Sequence, residues 1–360
     1  MTNRFLTLIL CAAFFSFTSC SSDDGPLEPI IIVIDGAAIS PEVGGANEPN
    51  QVYVDLSTNT TTSVKRDSWD LGFYAGTDFR VVLNGAVFMA AGQLTETDID
   101  AVTSTSAEVQ ELQPKVAVGT FDAANTAYVD APDGTITKTA IAEISTTDAS
   151  NKVYLLNLGK EIGTEVPATG SVDISDDSRG WKKIRFLKKE NNYVLQYADL
   201  DATTHKEITI SKSATHTFTF FSFNTESEVV AAPEKKNWDL NFTVFTNEIP
   251  GYGSYGYSDY VTNNTKAAAQ VYKIDTEVDS YTYDSFSLTD IDNLIFTTDQ
   301  RSVGSSWRNG GGPGSLPSLK ENVFYIVNDT DGNLYKLKFL ALTNADGERG
   351  HPEFVYSLLE

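Results

Sequence analysis

One five-residue phrase occurs twice in this chain, and it constrains the fold more than any other stretch. Trp69-Asp70-Leu71-Gly72-Phe73 reads WDLGF, and Trp238-Asp239-Leu240-Asn241-Phe242 reads WDLNF. With only 4 tryptophans in 360 residues, such an echo marks a duplication. Each copy follows a charged turn, SVKRDS before the first and APEKKN before the second. Each alternates large apolar with polar residues, the period of a strand with one buried face. Copies more than a hundred residues apart predict two related domains rather than a solenoid of short units.

Other phrases repeat in step. Lys152-Val153-Tyr154-Leu155-Leu156 resembles the run from Asn322 to Val327, and Trp181 to Leu187 resembles Leu334 to Leu340. Each set closes with an alternating strand, Tyr193 to Tyr197 or Glu353 to Leu358. Asp331-Gly332-Asn333 and Ala345-Asp346-Gly347 supply tight turns between strands. Asn84-Gly85, set between Arg80–Leu83 and Ala86–Met89, predicts a hairpin, because both turn residues accept positive φ. A short helix is expected from Ser106 to Gln113. Aromatic residues, Val, Ile and Thr are plentiful, which favours strands. The fold class that follows is all-β, with two related antiparallel β domains in tandem at residues 50–203 and 204–360.

Residues 1–19 read as a signal peptide rather than fold. Arg4 is the positive charge of a short leading region, and Phe5 to Phe17 are too few to span a bilayer. Phe17-Thr18-Ser19-Cys20 looks like the lipobox of bacterial lipoproteins, with Cys20 as the lipidated new N-terminus. The other cysteine, Cys11, lies in the segment removed, so neither a disulfide framework nor a thiolate site is expected. Residues 20–49 then form an acidic tether and a first strand, Ile30 to Ile34. The expected location is the outer membrane or cell surface, lipid-anchored.

The net charge of −23 argues against nucleic acid or anionic lipid as a partner, since both need basic patches. No GxSxG, HExxH or P-loop is present, so no enzyme activity is expected. Gly251-Tyr252-Gly253-Ser254-Tyr255-Gly256 spells GxGxxG but lacks the βαβ setting that dinucleotide binding needs. Asn328 to Asn333 reads as a hairpin turn, not a calcium loop, for want of the distal Glu.

The second half carries a wider resemblance. Glu207 to Ser213, Thr217 to Phe223, Glu228-Val229-Val230, Asn237-Trp238-Asp239-Leu240 and the closing VFYIVNDTDGNLYKLKF at 323–339 resemble, in that order, the HmuY-like lipoproteins. Residues 205–360 carry the match, and 50–200 form a more diverged copy. Family members have one such unit, so the duplication is a departure. The resemblance implies haem or porphyrin capture by a lipoprotein that serves an outer-membrane uptake receptor. Family members hold iron with paired His, or with Met, from the variable middle and from the stretch before the VFY strand. Here Tyr281 to Phe296 and Ser305 to Gly314 contain neither, so no axial ligand is carried over.

The candidate ligand contacts are therefore aromatic and cationic: Tyr252, Tyr255, Tyr257, Tyr260, Trp307 and Arg308. The tyrosines either line a flat ligand or pack their own loop. Tyr oxygen on iron is the remaining axial option. His205, His216 and His351 read as exposed or packing histidines, and Met89 as a packed thioether. No metal site is expected. The alternative to haem capture is a surface module for glycan or protein partners, with the aromatic loops as its contact face.

Overall fold

Strand pairing in this protein does not follow the order of the two copies. The computed structural model describes residues 35–311 and 315–360, without the side chains of residues 292 and 293. The expected leader, Cys20 and the Ile30–Ile34 strand lie outside the described residues. The first copy runs β1 Gly36–Ile39, β2 Asn50–Asp55, β3 Thr60–Lys65, β4 Leu71–Tyr74, β5 Val81–Leu83, β6 Ala90–Gln93, β7 Val153–Asn157, β8 Trp181–Lys189 and β9 Asn192–Asp199. A short helix, α1, spans Ala107–Leu112. The second copy runs β10 Lys206–Ser211, β11 Phe218–Ser222, β12 Ser227–Val229, β13 Leu240–Ile249, β14 Gly253–Asn263 and β15 Gln270–Asp275. It continues with a two-stranded ribbon (β16 Arg308–Asn309, β17 Ser318–Leu319), then β18 Val323–Asn328, β19 Leu334–Thr343 and β20 Arg349–Leu358.

Every named strand pair is antiparallel, and the chain is nearly all β. Two related modules result, as the duplicated phrase implies. One holds sheets β10-β9-β8-β7-β6 and β12-β11-β4-β5; the other holds β1-β20-β19-β18-β15 and β14-β13-β2-β3. The first three strands of each copy thus sit in the other copy's module. Registers agree as well: Leu71 faces Phe221 where Leu240 faces Val54. The cores obey the same exchange. One gathers Phe73, Phe186 and Tyr193 with Ile210, Phe221 and Phe223. The other gathers Phe242, Phe339 and Phe354 with Ile39, Val52 and Val54. Residues from Asp35 onward belong to one compact unit.

The repeated phrase holds each borrowed hairpin. Asp70 and Asp239 are both buried. Asp70 Oδ2 accepts the Phe223 N–H at 2.7 Å, and Asp239 Oδ2 accepts the Leu56 N–H at 2.8 Å. Trp69 meets Phe220 edge-on with centroids 4.7 Å apart, and Trp238 meets Tyr53 at 5.0 Å. Arg66 is buried where the chain crosses from β3 to β4. It donates to the carbonyls of Glu48 and Ala86, so it is bonded on both sides of the crossing. Burial lowers its pKa to about 10.

Asn84-Gly85 does not turn a hairpin. Asn84 has φ −73° and caps a 3-10 turn, Gly85–Val87, by accepting the Ala86 N–H at 3.0 Å. Its Nδ2 donates to the Arg66 and Trp69 carbonyls, a job Asn264 repeats for Lys235 and Trp238. Those buried carbonyls need a donor more than the chain needs a reversal. The return strand expected at Ala86–Met89 begins instead at Ala90, in the other sheet. The closing turns and α1 fall where their residues place them.

Candidate functional site

A cleft of ≈ 780 Å³ opens where the long β13–β14 hairpin meets loops of the first copy. Tyr255 and Tyr257, two apart on β14, present their rings from one face of the strand. Gly256 between them lies under Phe88, whose ring a Cβ at this position would strike. A bulge then breaks the alternation. Phe245 faces Tyr257, but Thr243 faces Tyr260, so β14 carries one extra residue. Asp259 absorbs it at φ 46° and swings into the interior.

That bulge builds a charged network behind the cleft wall. The Asp259 carboxylate takes an ion pair from Arg349 and lies 3.5 Å from Arg308 Nε. Its N–H reaches both Glu48 oxygens, at 2.9 and 3.0 Å. Arg349 also donates to Ser258 Oγ at 3.0 Å and to the Gly310 carbonyl at 3.2 Å. Burial, then the charge of Asp259, raises the Glu48 pKa well above the ordinary carboxylate range. Burial lowers that of Arg308, against the pull of Asp259. The Nε atoms of Arg308 and Arg349 are buried with no hydrogen-bond partner among the described residues.

The wall is thus aromatic and cationic. Tyr255, Tyr257, Trp181 and Phe88 supply rings, while Arg308, Arg349 and Lys160 supply charge. No Asp or Glu lines the cleft among the described residues, in a chain of net charge −23. An arrangement like this suits a flat apolar body that carries carboxylates.

Of the residues expected from sequence, Tyr255, Tyr257 and Arg308 line the cleft. Tyr252 stands exposed at the hairpin turn, away from the wall. Tyr260 is buried, stacked on Phe245 at 4.6 Å, with its hydroxyl 3.1 Å from Asn247 Nδ2. Trp307 belongs to the second core, stacked on Phe339 at 4.2 Å. A Trp beside a glycine-rich loop reads as a contact in sequence, but the large area of its ring packs inward here. His205 lies 3.0 Å from Asp100, His216 bonds to Thr215, His351 sits beside Glu348, and Met89 is in the first core. None of these four lines the cleft. Arg349, Lys160, Trp181 and Phe88 were not legible as site residues. Arg349, between Gly347 and Gly350, had only that flanking as a signal.

A family model described as "HmuY protein" matches residues 47–202 and again 214–356. No curated protein matches the chain. Among solved structures, the apo HmuY analog of Tannerella forsythia is similar at 10% identity, over 91% of this chain and 98% of that one, with a TM-score of 0.24.

Proposed function

The chain belongs to the HmuY protein family, matched once in each copy, and from that premise we propose that it captures haem or another porphyrin at the cell envelope. The observation that supports this reading is the cleft wall, which carries tyrosines and the buried arginines Arg308 and Arg349 and, among the described residues, no acid, Asp259 lying behind the arginines. Its size lies within the range of roughly 300–1,000 Å³ usual for small-molecule sites. The carboxylates of a porphyrin would meet Arg308, Arg349 and Lys160, and its ring would lie against Tyr255, Tyr257 and Trp181.

Iron itself is served poorly. No His, Met or Cys lines the cleft among the described residues, leaving Tyr255 and Tyr257 as side chains of axial type. Burial raises the Tyr257 pKa, with Tyr255 adding to it and Arg308 opposing, so its hydroxyl keeps its proton. The grip is through ring and carboxylates, and the metal is carried along. Haemin and metal-free protoporphyrin should then bind with affinities within about threefold of each other, read by tryptophan quenching and, for haemin, a Soret shift. Arg308→Met should weaken both by about tenfold or more, the loss of one charge-assisted contact. Binding of haemin but not of the metal-free ring would place the grip on iron and overturn this account.

The absence of imidazole and thioether supports a second reading, a surface module for glycan or protein partners that uses the same aromatic wall. Failure of both porphyrins to bind would favour it. Anchoring through Cys20 completes the proposal, with an outer-membrane receptor as the expected partner. No helix among the described residues is long and apolar enough to cross a membrane. Cys20→Ala should release the protein from the membrane fraction.

A further inference from the structure

The two four-stranded sheets each have one face on a core and one face turned outward. In the first module Leu71, Val81 and Phe221 point inward; Val82, Phe218 and Phe220 lie on the other face. In the second Val52, Val54 and Leu240 point inward; Tyr53, Asn241 and Thr243 lie on the other. These outward faces line a common cavity of ≈ 220 Å³, with Trp69 and Trp238 of the repeated phrase both in its wall. The one letter that differs inside that phrase sits on the seam. In the first copy it is Gly72, where a Cβ would come within 2.8 Å of Val82 Cγ2. In the second it is Asn241, which brings an amide instead.

Four of the cavity's polar atoms are unmet. Trp69 Nε1 and the Oδ1 atoms of Asn241, Asn263 and Asn264 are buried without a hydrogen-bond partner among the described residues, and all four residues line this space. Asn263 and Asn264 are each 2% exposed. Their orientation is fixed from the other side, because Asn263 Nδ2 donates to the Ala269 carbonyl and Asn264 Nδ2 to those of Lys235 and Trp238. In the first copy the equivalent oxygen, on Asn84, is satisfied by the Ala86 N–H; the second copy has no such cap. Buried polar atoms are almost always paired, so a cluster of unmet ones around a largely apolar space points to an occupant.

We propose that the seam is a second binding site, for a single-ring aromatic carrying one hydroxyl or N–H. A dry apolar cavity of about 150 Å³ takes benzene, so this one takes a substituted ring and excludes a tetrapyrrole. The ring lies among Phe218, Phe220 and Trp238. Its hydroxyl donates to an asparagine oxygen and accepts from the Trp69 indole N–H. Occupancy ties together strands from both copies.

The test is ¹⁹F NMR of 4-fluorophenol added to the purified soluble chain, with fluorobenzene as the ring without a hydroxyl. Broadening of the 4-fluorophenol line, reversed by excess phenol, with fluorobenzene bound about tenfold more weakly, is the expected result. Asn241→Leu should cost 4-fluorophenol about tenfold and leave fluorobenzene unchanged. Val82→Phe, checked for folding by its thermal melt, should abolish both. No broadening with the unaltered chain overturns the proposal and leaves a seam filled by water. Displacement of the probe by protoporphyrin also overturns it, because the probe would then sit in the larger cleft. The seam result stands or falls apart from porphyrin capture, which is read in the other cleft.

Discussion

The two copies share a scaffold and differ most in one hairpin. In the first copy the strand of the repeated phrase and its partner have 4 and 3 residues, and in the second they have 10 and 11. The extra length reaches into the first copy. Thr246 donates to the Gly85 carbonyl at 2.6 Å, Ser254 N–H to Asn125 Oδ1 at 2.6 Å, and Gly119 N–H to the Ser254 carbonyl at 2.9 Å. The cleft lies along this extension. The repeat thus gives two frames, and the longer hairpin supplies the surface between them. The clamps differ too. Asp70 is paired at 2.7 Å with the nearly buried Arg179. Asp239 holds backbone N–H groups of Leu56 and Thr330 and has no such cation among the described residues.

The largest effect that would test this comparison comes from the clamps. Asp70→Asn leaves the Arg179 guanidinium buried without its counter-charge and should cost about 3–5 kcal/mol in urea unfolding. Asp239→Asn at neutral pH should cost less, about 1–3 kcal/mol, since the amide keeps one acceptor for the Leu56 and Thr330 N–H groups and turns its own N–H donors toward the other. Equal losses would show that the copies are clamped alike.

The next effect is on pH. Burial, against the two N–H bonds, pushes the Asp239 pKa up to about 7. Its unfolded value is about 3.9, so the folded state holds the proton more tightly. The resulting stability is full below about pH 4 and is lost as pH rises through about 7. Asp239→Asn should therefore gain about 3 kcal/mol relative to the unaltered chain between pH 5 and pH 8.5. Other raised carboxyls, such as Asp130 at about 6, are common to both proteins and cancel in the difference. A constant difference across that range would remove Asp239 as a titrating clamp. The smallest effect concerns the tryptophans. Trp69→Phe and Trp238→Phe should each cost about 1 kcal/mol, the scale of one edge-on aromatic pair. A marked inequality would show that the two contacts with the borrowed hairpins are not equivalent.

Much of this fold could be read from residues. WDL, the closing strands and the Asp-Gly turns mark local periodicity, and local periodicity survives folding. The exchange of the opening strands could not be read. Val52 pairs with Phe242 and Phe221 with Leu71, and nothing in the period of a strand names its partner. Asn84-Gly85 misled because a turn signal is also a capping signal, and the carbonyls of Arg66 and Trp69 decided between them. At the site, Tyr255, Tyr257 and Arg308 stood out by type. Lys160, Trp181 and Phe88 come from segments far apart in sequence, which the neighbouring hairpin brings together. Trp307 stood out for the wrong reason, since a core also needs large rings.

The crossing at Arg66 bears on how this molecule could be divided. A protease that cut between residues 200 and 206 would sever one peptide bond and free neither half. Strands β1 to β3 would stay laced into the later part, and β10 to β12 into the earlier one. The nicked pair would behave as a heterodimer that separates only on unfolding. A gene fragment starting at the second copy would make a chain missing an edge of both its sheets, obliged either to fold back on its own opening hairpin or to find a twin.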